Sequence, residues 1–299
     1  MDHKELWKKI FHDTDPYIDF YFEEKAKKSI VYSKYEAGEL ASMAFFTSYP
    51  VVYRGEECIC PYIVGVATRE ESRHKGYMTL LLEQGLMDAK SDGAKLAFLS
   101  PADEKIYEPL GFQGVYYRRQ LEVGMSYIME NCRKWYAVTE YPQLDTRRQK
   151  RTAEFANAQL YASDLNLYIH RSREYYGMLC KEAETLGGSV LVLEEGGYIK
   201  AVVSYIHEED VCEVTEVICA KEDGRKVMET ICGYLSGKEA GNETAKEADK
   251  VVFSDGYFLG DVSGTGIHIR QMEKPYIMIK PFDEAEDISG LNVYINDIT

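Results

Sequence analysis

Hydrophobic and polar positions outline most elements of the first hundred residues. Glu5 to Lys28 reads as two short helices divided near Asp15-Pro16, since proline is tolerated in a first helical turn. Ile30-Val31-Tyr32 starts a strand, Ala37-Gly38-Glu39 turns the chain, and a longer strand runs through Met43, Phe45, Val51 and Tyr53. Arg54-Gly55-Glu56 turns it again into Cys58 to Thr68, rich in Ile, Val and Tyr. After a charged loop from Arg69 to Lys75, apolar residues at Met78, Leu81, Leu82, Leu86 and Ala89 fall at helical spacing, which Asp92-Gly93 ends. Lys95 to Leu99 predicts a short buried strand, Ala102 to Leu110 a helix closing at Gly111, and Val115 to Leu121 further strands.

The second half repeats this order. Ser189 to Leu193, the turn Glu194-Glu195-Gly196-Gly197 and Tyr198 to Ala201 mirror the first hairpin. Val211 to Cys219 corresponds to Glu57 to Thr68, Arg225 to Leu235 to the helix from Tyr77, and Val251 to Ser254 to Leu96 to Ser100. Two copies in one order imply two similar domains, joined near Gly124 to Asn131. The expected limits are 1–125, 126–282 and a tail, 283–299. Gly237 to Asp249 reads as an exposed loop.

An apolar fraction of 45% with 28% charged residues is that of a globular chain. The net charge of −15 argues against nucleic acid and anionic membrane as partners, and it suits a cationic substrate such as an amine. The start, Met1-Asp2-His3-Lys4-Glu5, is too polar for a secretory signal, and no run reaches the ~20 apolar residues of a membrane span. Seven cysteines in a chain of 299 residues, with Cys58 and Cys60 on one strand face and no second pair at metal spacing, read as reduced thiols in a cytoplasmic protein. No metal is expected, and oligomeric state stays open.

The chemistry concentrates in Val64 to Met78, where a strand runs into Arg73-His74-Lys75-Gly76 and on into a helix. Pyrophosphate binding needs this: unpaired N–H groups at a helix N-terminus, basic donors, and a residue without a side chain where the backbone meets phosphate.

Arg73-x-x-Gly76-x-Met78 after an apolar strand resembles the acyl-CoA signature of the GNAT N-acetyltransferases, Arg/Gln-x-x-Gly-x-Gly/Ala. Ile106-Tyr107-Glu108-Pro109-Leu110-Gly111-Phe112 is similar to that family's second signature. The spacing is similar to the Eis branch, in which two fused GNAT domains precede a sterol-carrier-like third. The resemblance covers the first ~125 residues by motif and the rest by architecture. It implies a mixed α/β fold (α+β) of two tandem GNAT-like domains, each a mostly antiparallel sheet flanked by helices. It implies acetyl-CoA as cosubstrate, with the pantetheine arm on the backbone of Val66, Ala67 and Thr68. His74, Lys75, Gly76, Tyr77, Met78 and Thr79 would hold the pyrophosphate with Arg73. Ala102 and Asp103 would lie beside the acetyl group, and Tyr107 would protonate the departing thiolate. A phenol, with a pKa of ~10, carries its proton at neutral pH.

Three departures follow. Glu70 replaces a proline common in relatives, Met78 is larger than glycine or alanine, and the sequence stops at Thr299, short of a third domain. The second half reads Ala220-Lys221-Glu222-Asp223-Gly224 at the corresponding turn, where two acids would repel pyrophosphate. That half is expected to be structural or substrate-shaping. The tail alternates Leu291, Val293 and Ile295 with Asn292, Tyr294 and Asn296, which suits a half-buried strand entering the cleft. His170-Arg171 with Arg173 reads as an exposed helix face, and His207-Glu208-Glu209-Asp210 as a hairpin turn. The resulting expectation is transfer of acetyl from acetyl-CoA to a primary amine, small molecule or side chain, by direct attack. The alternative is a non-catalytic acyl-CoA sensor.

Overall fold

The computed structural model describes residues 1–208, 211–237 and 250–296. In chain order the first part comprises α1 (His3–Ile10), α2 (Asp15–Phe20), β1 (Ser29–Glu36), β2 (Glu39–Tyr53), β3 (Glu56–Thr68) and α3 (Tyr77–Ser91). It continues through β4 (Leu96–Leu99), the one-turn α4 (Glu104–Tyr107), β5 (Gln113–Tyr116) and β6 (Arg119–Gly124). Next come α5 (Met125–Asn131), β7 (Ala137–Glu140), α6 (Thr146–Ala162), β8 (Leu167–Ile169) and α7 (Arg173–Thr185). The repeat follows as β9 (Ser189–Glu195), β10 (Tyr198–Glu208), β11 (Val211–Cys219), α8 (Gly224–Leu235) and β12 (Lys250–Phe253). The chain then adds β13 (Ile267–Gln271), β14 (Ile277–Pro281) and β15 (Val293–Tyr294).

Period-two burial along β2 accounts for the first layer arrangement. Ala44 and Phe46 pack under α3, whereas Leu40, Met43 and Phe45 pack against α1 and α2 with Trp7, Ile18 and Tyr21. Helices therefore cover both faces, and β2 is buried from Leu40 to Phe46 without interruption. Asp2 starts α1 with a capping box, accepting from the Glu5 N–H while the Glu5 side chain returns to the Asp2 N–H.

The repetition expected from sequence is present. β1, β2 and β3 are antiparallel neighbours, and β4 joins β3 in parallel across α3. β9, β10 and β11 pair the same way, with β12 parallel to β11 across α8. Each unit is a mixed, mostly antiparallel sheet with helices.

Sheet membership does not follow the expected limits. The first sheet runs β15-β8-β2-β3-β4-β14-β5, with β1 on β2, and the second β13-β6-β12-β11-β10-β9-β7. β6, placed by sequence in the first domain, pairs with β12 and β13. β14, from near the end of the second, inserts between β4 and β5. The sheets thus part between β5 and β6, ahead of the junction expected near Gly124, and the chain re-enters the first sheet before residue 282. The tail is likewise incorporated: β15 pairs in parallel with β8, and Val293 to Asn296 are buried.

His170-Arg171 also differs from expectation. Arg171 lies in the short link between β8 and α7, is 1% exposed, and its guanidinium is ion-paired with the equally buried Glu216 of β11. The Glu209-Asp210 turn and most of the Gly237 to Asp249 loop fall outside the described residues. Among those described, no helix is long and apolar enough to cross a membrane. All seven cysteines are free, Cys58 and Cys60 facing each other at 3.7 Å between sulfurs.

Candidate active site

β3 and β4 are in register only at Tyr62 with Phe98 and Ile63 with Leu99. β4 stops there while β3 continues for five residues, so the two separate and a wedge opens. A cavity of about 550 Å³ fills it, bounded by Tyr62 to Val66, Ser100 to Ala102 and Tyr107. Its outer wall is Trp7, Phe11 to Thr14 and Tyr17, and the second half adds Leu186 and Ile206.

Within the wedge β3 bulges. Phe45 pairs with Val64 and Met43 with Ala67, leaving Gly65 and Val66 opposite Ala44 alone. An extra residue leaves the ladder and frees backbone groups. Gly65 takes φ +61°, and a Cβ there would fall far inside contact distance of the Trp7 ring and 3.0 Å from Phe45 Cδ2. Only glycine meets both demands. Beyond the bulge, Ser42 Oγ donates to the Ala67 carbonyl at 3.0 Å and lies 2.9 Å from the Thr68 hydroxyl. That carbonyl and that hydroxyl are thereby turned to β2.

The turn after β3 is held by β1. Glu36 accepts from Lys75 Nζ at 2.7 and 2.9 Å, from Ser72 Oγ at 2.9 Å and from the Tyr77 hydroxyl at 3.3 Å. The Lys75 ammonium, followed by Ser72, holds this carboxyl below the usual carboxylate range. Lys75, read from sequence as a free donor for phosphate, is instead an anchor of the turn. Arg73 and His74 are exposed and have no described partner. His74 and Gly76 both take positive φ, +62° and +76°. Gly76 is the N-cap of α3 without a side-chain cap, and nothing lies within 4 Å of a Cβ placed on it. The first helical bond runs from the Leu80 N–H to the Gly76 carbonyl, so the N–H groups of Tyr77, Met78 and Thr79 have no described acceptor. Met78 packs against the cluster under α3 that Val66 also meets, so its bulk is taken up by the core.

Ala102 lines the cavity, whereas Asp103, grouped with it from sequence, caps α4 by accepting from the Lys105 N–H at 3.1 Å. Tyr107 ends α4, 7% exposed, with its ring edge-to-face on Phe112 at 6.1 Å. Burial pushes its phenol above the ordinary value of 10, and its hydroxyl has no hydrogen bond among the described residues.

The second half has the same wedge with different contents. β12 pairs with β11 only as far as Phe253 with Val214, and β11 continues to Cys219. Val217 stands two residues before the end of β11, as Val66 does in β3. The Tyr294 hydroxyl occupies it, accepting from the Val217 N–H at 3.2 Å and donating to its carbonyl at 2.6 Å. At the start of α8 a Cβ on Gly224 would strike the Leu259 backbone, 2.7 Å from Cα. Asp223 is engaged by the Tyr136 hydroxyl at 2.8 Å and Lys200 at 3.5 Å. The C-terminal segment therefore enters the wedge of the second half; none of its described residues lines the cavity beside Tyr107, where sequence placed it.

Residues 2–115 match the family described as an acetyltransferase (GNAT) domain. No curated protein matches the chain in sequence. Among solved structures, a conserved Enterococcus faecalis protein described as a probable N-acyltransferase is similar at TM-score 0.73 and 15% identity, covering 93% of this chain and 69% of that one. A GCN5-related N-acetyltransferase from Kribbella flavida gives 0.67 and 16%, with 94% and 68% covered. Eis1 from Mycobacterium abscessus gives 0.56 and 11%, with 85% and 64% covered. These neighbours share the fold over both halves.

Proposed function

We propose that this chain, which carries a GNAT acetyltransferase domain over residues 2–115, moves an acetyl group from acetyl-CoA to a primary amine in a ternary complex. One observation carries the reading: the bulge at Gly65-Val66 and Tyr107 border a single cavity at the strand wedge, and β3 leads from it to the uncapped start of α3.

Cofactor recognition falls to the backbone. The N–H groups of Tyr77, Met78 and Thr79, at the positive end of the helix dipole, would meet the pyrophosphate. Arg73 and His74 are placed to add charge, while Lys75 and Tyr77 keep the turn on Glu36. The pantetheine arm would follow β3 into the wedge.

The amine lone pair attacks the thioester carbonyl. A C–N bond forms and the C–S bond breaks; N–H groups released at the bulge stabilise the transient oxyanion. Nitrogen loses its proton to water at the open mouth. The thiolate takes the phenolic proton of Tyr107, which solvent restores, so the balance is acetyl-CoA plus amine to amide plus free thiol. Holding both reactants in one cavity supplies proximity.

Incubation with acetyl-CoA and a panel of primary amines should release thiol, and acetyl-CoA alone should raise the melting temperature by mass action. Binding without thiol release from any amine would support an acyl-CoA sensor instead. No thermal shift at millimolar acetyl-CoA would overturn the cofactor assignment.

A further inference from the structure

The outer half of the cavity beside Tyr107 has a composition that acetyl transfer alone does not require. Trp7, Phe11 and Tyr17 line it from α1 and α2, Tyr62 and Ile63 from β3, and Leu186 and Ile206 from the second half. Trp7 is fixed in place, its ring 4.4 Å from Tyr21 and 4.8 Å from Phe11, with its indole N–H donating to Asp13 Oδ2 at 2.7 Å. Among the described lining residues Asp13 is the sole carboxylate and His12 the one imidazole, with neither lysine nor arginine beside them. Its other oxygen has no described donor.

We infer that the acceptor is an amine bearing one positive charge on a compact apolar or aromatic body. The inference rests on the acetyl-transfer reading and narrows its substrate. Rings and aliphatic side chains favour a body that leaves water on binding, and offset or edge-on aromatic contacts add to that. One carboxylate at the mouth matches one ammonium, which then sheds its proton before attack. A polyamine or aminoglycoside would bring several ammonium groups to a wall whose described residues hold one counter-charge, and the remainder would lose water without a partner there.

The test compares 2-phenylethylamine and tryptamine with spermidine and kanamycin on the full chain. With acetyl-CoA present, the aromatic amines should show kcat/KM ~10-fold or more above the polycations, the scale on which apolar pockets discriminate. Asp13→Asn keeps an acceptor for the Trp7 indole and removes the charge, so KM for 2-phenylethylamine should rise several-fold with kcat little changed. Binding is read separately. Trp135 is surface-exposed, and Trp135→Phe leaves Trp7 as the single indole. Its fluorescence should then respond saturably to 2-phenylethylamine and not to spermidine. Preference for spermidine or kanamycin overturns the substrate class and leaves acetyl transfer standing. Thiol release from no amine overturns acetyl transfer, and Trp7 fluorescence still decides the class: a response to spermidine alone, or to neither amine, rejects it.

Discussion

Gly65 and Gly76 share a positive φ, yet substitution should affect them oppositely. At Gly65 a methyl group would strike Trp7, so Gly65→Ala should lose ~1–3 kcal/mol to overpacking, with backbone strain added, and lower the melting temperature. At Gly76 the added side chain meets open space, and Asp is among the residues that tolerate a left-handed backbone. Gly76→Asp should therefore fold but put a carboxylate where phosphate would sit, and acetyl-CoA should no longer raise its melting temperature. Tyr107→Phe keeps the ring on Phe112 and removes one proton, so single-turnover rates should fall by ~10²–10⁴ with acetyl-CoA affinity little changed. Because burial raises this phenol above the ordinary value, the midpoint of any alkaline loss of rate from its ionisation should lie higher than that of an exposed tyrosine. Gly76 and Tyr107 were legible in sequence because each stands in a short motif. Asp13 was not: its pairing with Trp7 depends on the chain reversing between α1 and α2, and no pattern marks a lone acid in a polar turn.

Strands and helices were read well where periodicity or turn residues were strong, as along β1 to β4 and their repeat. β8 shows why that reading fails elsewhere. Three apolar residues before His170-Arg171 give too short a run to call a strand, and adjacent cations look solvated. Burial of Arg171 depends on the distant Glu216, a contact that spans 45 positions, together with the Ile169 carbonyl and the Tyr175 ring. Arg171→Met alone should take the guanidinium from the buried Glu216 carboxylate and cost ~3–5 kcal/mol, whereas Arg171→Met with Glu216→Leu should recover most of the loss in denaturant melts. The bulge in β3 was equally silent, since Val64-Gly65-Val66 reads as ordinary strand with one weak position.

At the scale of the whole molecule, the exchange of β6 and β14 means that neither half of the chain holds a complete sheet. A fragment of residues 1–125 lacks β14 between β4 and β5 as well as β8 and β15 beside β2, so the edges of β2, β4 and β5 lose their partners. It should be aggregation-prone and lack a cooperative transition, although it contains both motifs, and circular dichroism during thermal melting would show this. The intact chain should unfold in one transition shared by both sheets. Such long-range pairing cannot be read from local pattern: Ile277-Met278-Ile279 is a short apolar run like many others, and its partners are Leu96 to Leu99 and Gln113 to Tyr116, far earlier in the chain.

Tyr294 carries one more consequence, which concerns counting. Its hydroxyl satisfies the two backbone groups of Val217 at the place in the second wedge that corresponds to Val66. Engaged this way by its own chain, with the Leu259 backbone lying across the start of α8, the second wedge lacks the free backbone groups that a nucleotide would use. Calorimetric titration should accordingly return one acetyl-CoA per polypeptide, despite two copies of the fold. Tyr294→Phe keeps the ring but leaves a buried N–H and a buried carbonyl without their partner, at ~1–3 kcal/mol for each group left unsatisfied. That variant should melt earlier and still titrate at one equivalent; a second equivalent would mean that a single hydroxyl had been all that kept the repeat from acting as its twin.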